Sequence, residues 1–174
     1  MVDLQIKKLL ISALLEDIGT EDVTSNALIE KPTIAKAQIT CKQGCIVCGV
    51  PFVKELFSIL SPDIEFNILV NDGKRVSAGT NILYLKGPAQ ALLAGERTAL
   101  NILQQLSGIA TLTNRFVEKV KPFNCQIFDT RKTTPLNRVL EKYAVSVGGG
   151  KNHRMGLYDQ FLVKDNHIKL LSRY

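Results

Sequence analysis

Apolar residues recur at helical spacing near the start of the chain. Ile6, Leu9, Leu10, Ala13 and Leu14 share one stripe, which predicts an amphipathic helix from Val2 to Leu15. Glu16 to Thr24 then reads as a turn-rich loop, because Thr and Asp side chains hydrogen-bond the backbone of turns and helix starts. From Thr33 to Val50 the pattern alternates. It predicts two paired strands, Ile34 to Cys41 and Cys45 to Gly49, joined around Gln43-Gly44. Pro51 to Leu60 returns to helical spacing, with Phe52, Val53, Leu56, Phe57 and Leu60 inward and Pro51 in the first turn. Ile64 to Val70 is a further strand, Asn71-Asp72-Gly73 a hairpin-type turn, and Val76 and Asn81 to Leu85 further strand pieces. Together these elements predict a small α+β layer.

The longest helix is expected from Pro88 to Leu106, with Leu92, Leu93, Ala99, Leu100, Leu103 and Leu106 on its apolar face. Ser107-Gly108 should end it, and a second helix should run from Ala110 to Lys121. A boundary near 107 divides the chain into residues 1–107 and 108–174, with no Pro/Gly/Ser-rich linker between them. Beyond it, the apolar Gln126-Ile127-Phe128 runs into Asp129-Thr130-Arg131-Lys132-Thr133-Thr134-Pro135. A helix from Leu136 to Val147 follows, with Val139, Leu140, Tyr143, Ala144 and Val147 on one face. Gly148-Gly149-Gly150, Asn152-His153-Arg154 and a second apolar run, Phe161-Leu162-Val163, complete the stretch before Lys164-Asp165-Asn166-His167. Strand, polar turn, helix, strand, polar turn is the grammar of a parallel βαβ unit. Ligands of such units sit at the carboxyl ends of the strands, where this chain places Arg131-Lys132 and Lys164.

Composition narrows the partners. The 174 residues are 45% hydrophobic and 22% charged, ordinary for a chain that buries a core, and the net charge of +6 favours anionic partners. With no Trp, four Tyr and no basic run longer than two residues, a nucleic-acid surface of the usual kind is not expected. Leu9 to Leu15 is too short to span a bilayer and no cleavage pattern follows it, so no membrane association and a cytoplasmic location are expected. Cys41-x3-Cys45-x2-Cys48 has the spacing of a radical-SAM iron–sulfur site, but buried small hydrophobes in a strand are the favoured reading. Asp72 to Thr80 looks like a turn of a biotinyl or lipoyl carrier domain, yet no Met-Lys-Met-type attachment lysine accompanies it.

Four blocks in order, DTRKTTP (129–135), EKYAV (141–145), GGGKNHR (148–154) and LVKDNH (162–167), resemble the quinolinate phosphoribosyltransferases, or nicotinate-nucleotide pyrophosphorylases. The likeness extends upstream through AGERTALN (94–101) and LSGIAT (106–111). Two places depart from the family pattern: Glu21 stands where Gly is usual, and the usual Thr-Pro-Gly-Leu-Arg is here Thr134-Pro135-Leu136-Asn137-Arg138. The molybdenum-linked paralogue of the same fold is a further reading, but EKYAV and KDNH resemble the quinolinate branch more closely.

The resemblance implies an α/β fold: an N-terminal α+β sandwich domain followed by the start of an incomplete parallel (β/α) barrel. It implies a phosphoribosyltransferase of NAD biosynthesis that joins quinolinate to phosphoribosyl pyrophosphate (PRPP), giving nicotinate mononucleotide, CO₂ and pyrophosphate. Arg131, Arg154 and Arg97, the last supplied across a homodimer interface, would bind the dicarboxylate, since guanidinium fixes planar carboxylates in orientation. Without the resemblance, Arg97 reads as a solvated flank. Lys132 and Lys164 would balance carboxylate and phosphate charge as the catalytic cations, with His153 a donor in the pocket wall. His167 would shape the loop after Lys164. Arg138 is expected to cap its helix or to reach the pocket, and Arg138, Lys142, Lys151 and Lys169 are expected at the surface. Mg²⁺ is implied with PRPP, its ligands lying on later strands that this chain lacks, so no metal-binding residue is assigned here. The chain alone is expected to be inactive or weak, the alternative being a non-catalytic anion-binding or dimerisation fragment.

Overall fold

The structure, a computed structural model, describes residues 2–171. Helix α1 (Leu4–Ile18) starts where Asp3 accepts a hydrogen bond from the Ile6 N–H, and it buries Ile6, Leu10 and Leu14 along one stripe. It runs three residues further than its apolar pattern. The loop expected at 16–24 shrinks accordingly, because a short helix α2 (Val23–Leu28) begins at once, capped by Asp22.

Strand β1 (Ile34–Thr40) turns Ala35, Ala37 and Ile39 toward the core. Strand β2 (Cys45–Ile46) is shorter than its pattern and does not pair with β1. After it comes α3 (Val50–Leu60), which buries Val50, Phe52, Val53, Leu56 and Phe57. Strands β3 (Glu65–Ile68), β4 (Arg75–Val76) and β5 (Asn81–Pro88) follow. β5 lies between β1 and β3 in an antiparallel sheet of order β1-β5-β3, while β2 pairs with β4 in a second small sheet.

The Asn71-Asp72-Gly73 turn is therefore no hairpin: it carries the chain from one sheet to the other. Asp72 accepts from the N–H groups of Gly49 (2.8 Å) and Val50 (3.0 Å), and so caps α3 from a distant loop.

Helix α4 (Ala89–Val120) runs unbroken for 32 residues, roughly 48 Å at the usual rise. The expected stop at Ser107-Gly108 does not occur. Ser107 Oγ accepts from the Cys48 N–H (3.0 Å) and donates to the Cys48 carbonyl (3.2 Å), so it serves a tertiary contact instead of a cap. A β-carbon added at Gly108 would meet nothing, and an exposed glycine interrupts a packed helix only weakly.

After a single 3-10 turn at Lys121–Phe123 the chain extends, and the Phe128 backbone bridges Lys151 in parallel. Lys151 N–H donates to the Ile127 carbonyl (2.8 Å) and Asp129 N–H to the Lys151 carbonyl (3.1 Å). Between these partners lies α5 (Arg138–Val147), packed on α4 through Leu140 and Ala144. The βαβ unit thus exists, but its second strand position is Lys151. Phe161-Leu162-Val163, expected as that strand, is exposed and irregular, because the Lys151 backbone already occupies the partner position. A last helix, α6 (Asp165–Leu171), follows. Among the described residues no helix is long and apolar enough to cross a membrane.

Candidate anion-binding site

Helix α5 has two buried faces. Leu140 and Ala144 face α4, and Tyr143 reaches back to the first half of the chain. Its hydroxyl donates to Asp72 (2.9 Å), and its ring meets Phe52 edge-on at 4.9 Å. Burial, and then the Asp72 carboxylate, push the Tyr143 phenol above its ordinary range.

The opposite face carries Arg138 and Lys142, one turn apart. Both were expected at the surface, and neither is free there. Lys142 is 1% exposed. It pairs with Asp129, whose side chain is 6% exposed, and it donates to the His153 carbonyl at 2.9 Å. Asp129 also accepts from the His153 N–H at 2.8 Å. With its amide turned to donate, Asn152 lies 2.9 Å from the second Asp129 oxygen and 3.0 Å from the Lys142 carbonyl. Arg138 Nε donates to Thr133 Oγ1 (3.1 Å), Nη1 to the Met155 carbonyl (2.9 Å) and Nη2 to the Arg131 carbonyl (3.5 Å). It neither caps its own helix nor points into a pocket: it ties two loops together.

These contacts gather the loop Asp129–Thr133 and the loop Asn152–Met155 around one end of α5. Arg131 and Arg154 stand on them. Arg154 is 5% exposed and donates from Nη1 to the Gln160 carbonyl (3.0 Å), while its Nε is buried without a hydrogen-bond partner. Arg131 Nε is buried and unpartnered as well. Buried donors are nearly always paired in native structures, so two orphaned guanidinium donors on adjoining loops mark a place for an acceptor. His153 is exposed, and its Nδ1 accepts from the Arg154 N–H (2.7 Å), which leaves Nε2 to carry the proton of the neutral ring. Lys132 is exposed next to Arg131, its N–H donating to Thr130 Oγ1 (3.1 Å). The loop after Arg154 closes on Asp159, which accepts from the N–H groups of Met155 (2.7 Å) and Gly156 (3.0 Å). Those bonds, the Met155 one first, hold its carboxyl below the usual range.

Two predicted residues stand apart. Lys164 is exposed at the start of α6, its N–H donating to His167 Nδ1 (3.0 Å), so His167 does fold that loop. Arg97 is exposed on α4, beside the half-exposed Leu93. No hydrogen bond joins either to the arginine loops among the described residues. A cleft of about 290 Å³ between α1, α4 and the start of α5, lined by Ala13, Asp17, Thr98, Asn101, Gln105 and Asn137 among others, carries none of the predicted cations.

Nor do the cysteines form a metal site. Cys41 and Cys45 sulfurs are 3.1 Å apart, Cys48 is fully buried, and no group of three or more His, Cys, Asp or Glu side chains among the described residues is arranged to hold a metal. Asp129, the acid on the Arg131 loop, has both oxygens engaged by Lys142, the His153 N–H and Asn152. The residues described do not fit a resident Mg²⁺.

Sequence reasoning gave Asp129 and Lys142 no part in building this site, and offered Arg138 only as a helix cap or a pocket residue. One signal was present: Arg138 and Lys142 are spaced four apart, opposite the apolar stripe of a helix that lies between two loops.

An α+β layer leading into a βαβ unit with arginines on its loops defines an α/β protein with the beginning of a parallel β/α barrel. The family model for the quinolinate phosphoribosyl transferase N-terminal domain matches residues 22–107, and that for the C-terminal domain matches residues 109–174. The chain belongs to this family. It is 48% identical over 168 residues to a probable carboxylating nicotinate-nucleotide pyrophosphorylase of Bacillus subtilis, spanning 97% of this chain and 58% of that protein. It is 46% identical over 167 residues to one from Methanocaldococcus jannaschii, spanning 95% of this chain and 58% of that protein. Among solved structures, NadC from Streptococcus pyogenes superposes with a TM-score of 0.93 at 39% identity, covering 99% of this chain and 62% of that one. The chain thus spans about three fifths of the length of these relatives.

Proposed function

We propose that this chain carries the quinolinate-binding part of a phosphoribosyltransferase of NAD biosynthesis. In that reaction the pyridine nitrogen of quinolinate attacks C1′ of PRPP, pyrophosphate leaves, and a proton replaces the carboxylate lost as CO₂. The observation that carries the reading is the pair of buried, unpartnered guanidinium donors, Arg131 Nε and Arg154 Nε, on loops drawn together by α5. Two guanidinium groups suit two carboxylates on a planar ring. His153 would donate from Nε2 at the rim. Lys132, and Lys164 once its loop is drawn in, would balance the charge of carboxylate and phosphates; their exposure keeps both free to do so. Catalysis of this kind rests on orientation and on stabilising the departing charge. Mg²⁺ would arrive with PRPP, and no step is assigned to it through the residues of this chain. The exposure of Arg97 on α4 fits its supply to the site of a second copy in a homodimer. A cytoplasmic location goes with the same reading.

The test is calorimetric titration of the chain with quinolinate and with nicotinate, its one-acid analogue. One bidentate carboxylate contact is worth about tenfold or more in affinity, so quinolinate should bind at least that much tighter. Arg131→Ala and Arg154→Ala should each abolish the difference. Equal, weak binding of both acids would overturn the proposal.

A second reading, a non-catalytic anion-binding or dimerisation fragment, draws on the apolar side chains left exposed at Tyr158, Phe161, Val163 and Leu171. Nicotinate mononucleotide production is expected to be absent or weak in either case. Native mass spectrometry, by showing whether another polypeptide accompanies the chain, separates the two.

A further inference from the structure

Lys142 poses a problem of its own. A nearly fully buried lysine in a helix costs desolvation that a Met or Leu of similar volume would avoid, and buried ion pairs are often no more stabilising than apolar replacements. What the pair does that an apolar residue cannot is aim hydrogen bonds. Asp129 takes the His153 N–H at 2.8 Å and Lys142 gives to the His153 carbonyl at 2.9 Å, so the two partners grip both backbone groups of one residue. That fixes the backbone on either side of the His153 α-carbon. The next N–H, of Arg154, holds the imidazole through Nδ1 at 2.7 Å. Asn152, bonded to Asp129 and to the Lys142 carbonyl, closes the arrangement from the preceding residue. Arg138, one turn earlier on α5, performs the same service for the other loop, joining Arg131 to Met155.

We propose that Asp129 and Lys142 are positioning residues: their buried pair sets the backbone of His153, and through it the directions in which His153 and Arg154 face the ligand. The consequence for binding rests on the dicarboxylate reading above; the positioning itself does not. Neither residue touches the ligand. Asp129→Asn keeps an oxygen acceptor for the His153 N–H, whereas Asp129→Ala removes it.

Amide hydrogen exchange of the intact chain, followed residue by residue, reads the positioning directly, with Leu56 in α3 as the reference for global opening. His153 N–H should be protected in the unmodified chain and in Asp129→Asn. In Asp129→Ala its protection relative to Leu56 should fall about tenfold or more, the usual weight of a hydrogen bond to a charged group. Quinolinate affinity should drop by about the same factor in Asp129→Ala and recover in Asp129→Asn. His153 N–H protection unchanged in Asp129→Ala, or lost equally in both variants, would overturn the inference. Should Asp129→Ala fail to fold, the unmodified chain and Asp129→Asn still decide: a freely exchanging His153 N–H in either refutes the grip. If the unmodified chain binds no quinolinate while the exchange pattern holds, the function fails and the positioning stands.

Discussion

Residues 2–120 and residues 121–171 are held together by different physics. The first part is a continuous apolar core in which Leu10, Val53, Leu56, Leu83 and Ala99 are wholly buried between α1, α3, α4 and the β1-β5-β3 sheet. The second part leaves Tyr158, Phe161, Val163 and Leu171 exposed, and its best-buried large side chain is a lysine. Apolar burial is non-directional: it decides where elements lie but not which way a loop faces. Holding guanidinium groups at fixed angles needs hydrogen bonds, and the loops 129–133 and 152–160 on either side of α5 are ordered by them. The price is fragility, because a directional network fails when one member is removed.

Lys142→Met should test that contrast hardest. It leaves the Asp129 carboxylate buried and unpaired, at a cost of about 3–5 kcal/mol. Leu56→Ala, in the apolar core of the first half, should cost about 2–5 kcal/mol through lost transfer energy and the cavity left behind. Denaturant titration monitored by far-ultraviolet circular dichroism gives both values. The informative difference lies in the double replacement Asp129→Leu with Lys142→Met. Stability should largely return, since an apolar pair of similar volume can replace a buried ion pair, while the protection of the His153 N–H should not. Full recovery of both would mean that the second half is built like the first.

Two buried groups, Cys45 in the first half and Tyr143 where α5 meets it, should respond to alkali. Burial, then Cys41, raises the Cys45 thiol from its ordinary 9.0 to about 12, and burial with Asp72 raises the Tyr143 phenol above 10. Both groups hold their protons more tightly folded than unfolded. Their contribution is therefore complete below pH 9 and is lost as pH rises, from 9 to about 12 for Cys45 and above 10 for Tyr143. The urea midpoint should stay level up to pH 9 and fall beyond it. Tyr143→Phe should make the fall above pH 10 shallower and leave the thiol part. A midpoint that rises with alkali would contradict the burial of both groups.

The same contrast explains what the sequence revealed. α1, α3 and the strands of the first sheet follow from apolar period because their burial leaves that period in the sequence, and Ile6, Leu10 and Leu14 or Phe52, Val53 and Leu56 are inward as their spacing requires. Strand partners did not follow, since alternation in β1 and β2 says that each is a strand and nothing about which strand it joins. Ser107-Gly108 misled because serine's value there is a contact with Cys48, 59 residues away. In the second half, the motif put Arg131 and Arg154 on loops, and both do stand on loops at one end of α5. The residues that shape those loops escaped notice, because a lysine opposite an apolar stripe looks solvated until a second layer covers it. Phe161-Leu162-Val163 had the composition of a strand but lacks a partner among the described residues.

The smallest expected effect sits at the entrance to α5. Thr134-Pro135-Leu136-Asn137 forms a turn closed by the Asn137 N–H donating to the Thr134 carbonyl at 3.1 Å. Proline in the second place and a positive φ in the third describe a type II turn, whose third place favours glycine. Leu136 occupies it at φ +67° and is 90% exposed, so no burial offsets the conformation. A left-handed leucine costs roughly 1–2 kcal/mol, and the freedom that glycine gains in the unfolded chain returns about 0.5–1 kcal/mol of that. Leu136→Gly should therefore stabilise the protein by about 0.5–1 kcal/mol, visible as a higher urea midpoint at unchanged slope. It should also leave quinolinate affinity unaltered, because Arg138 holds Arg131 and Met155 from the helix side of the turn. A lower midpoint would mean that Leu136 is covered in solution.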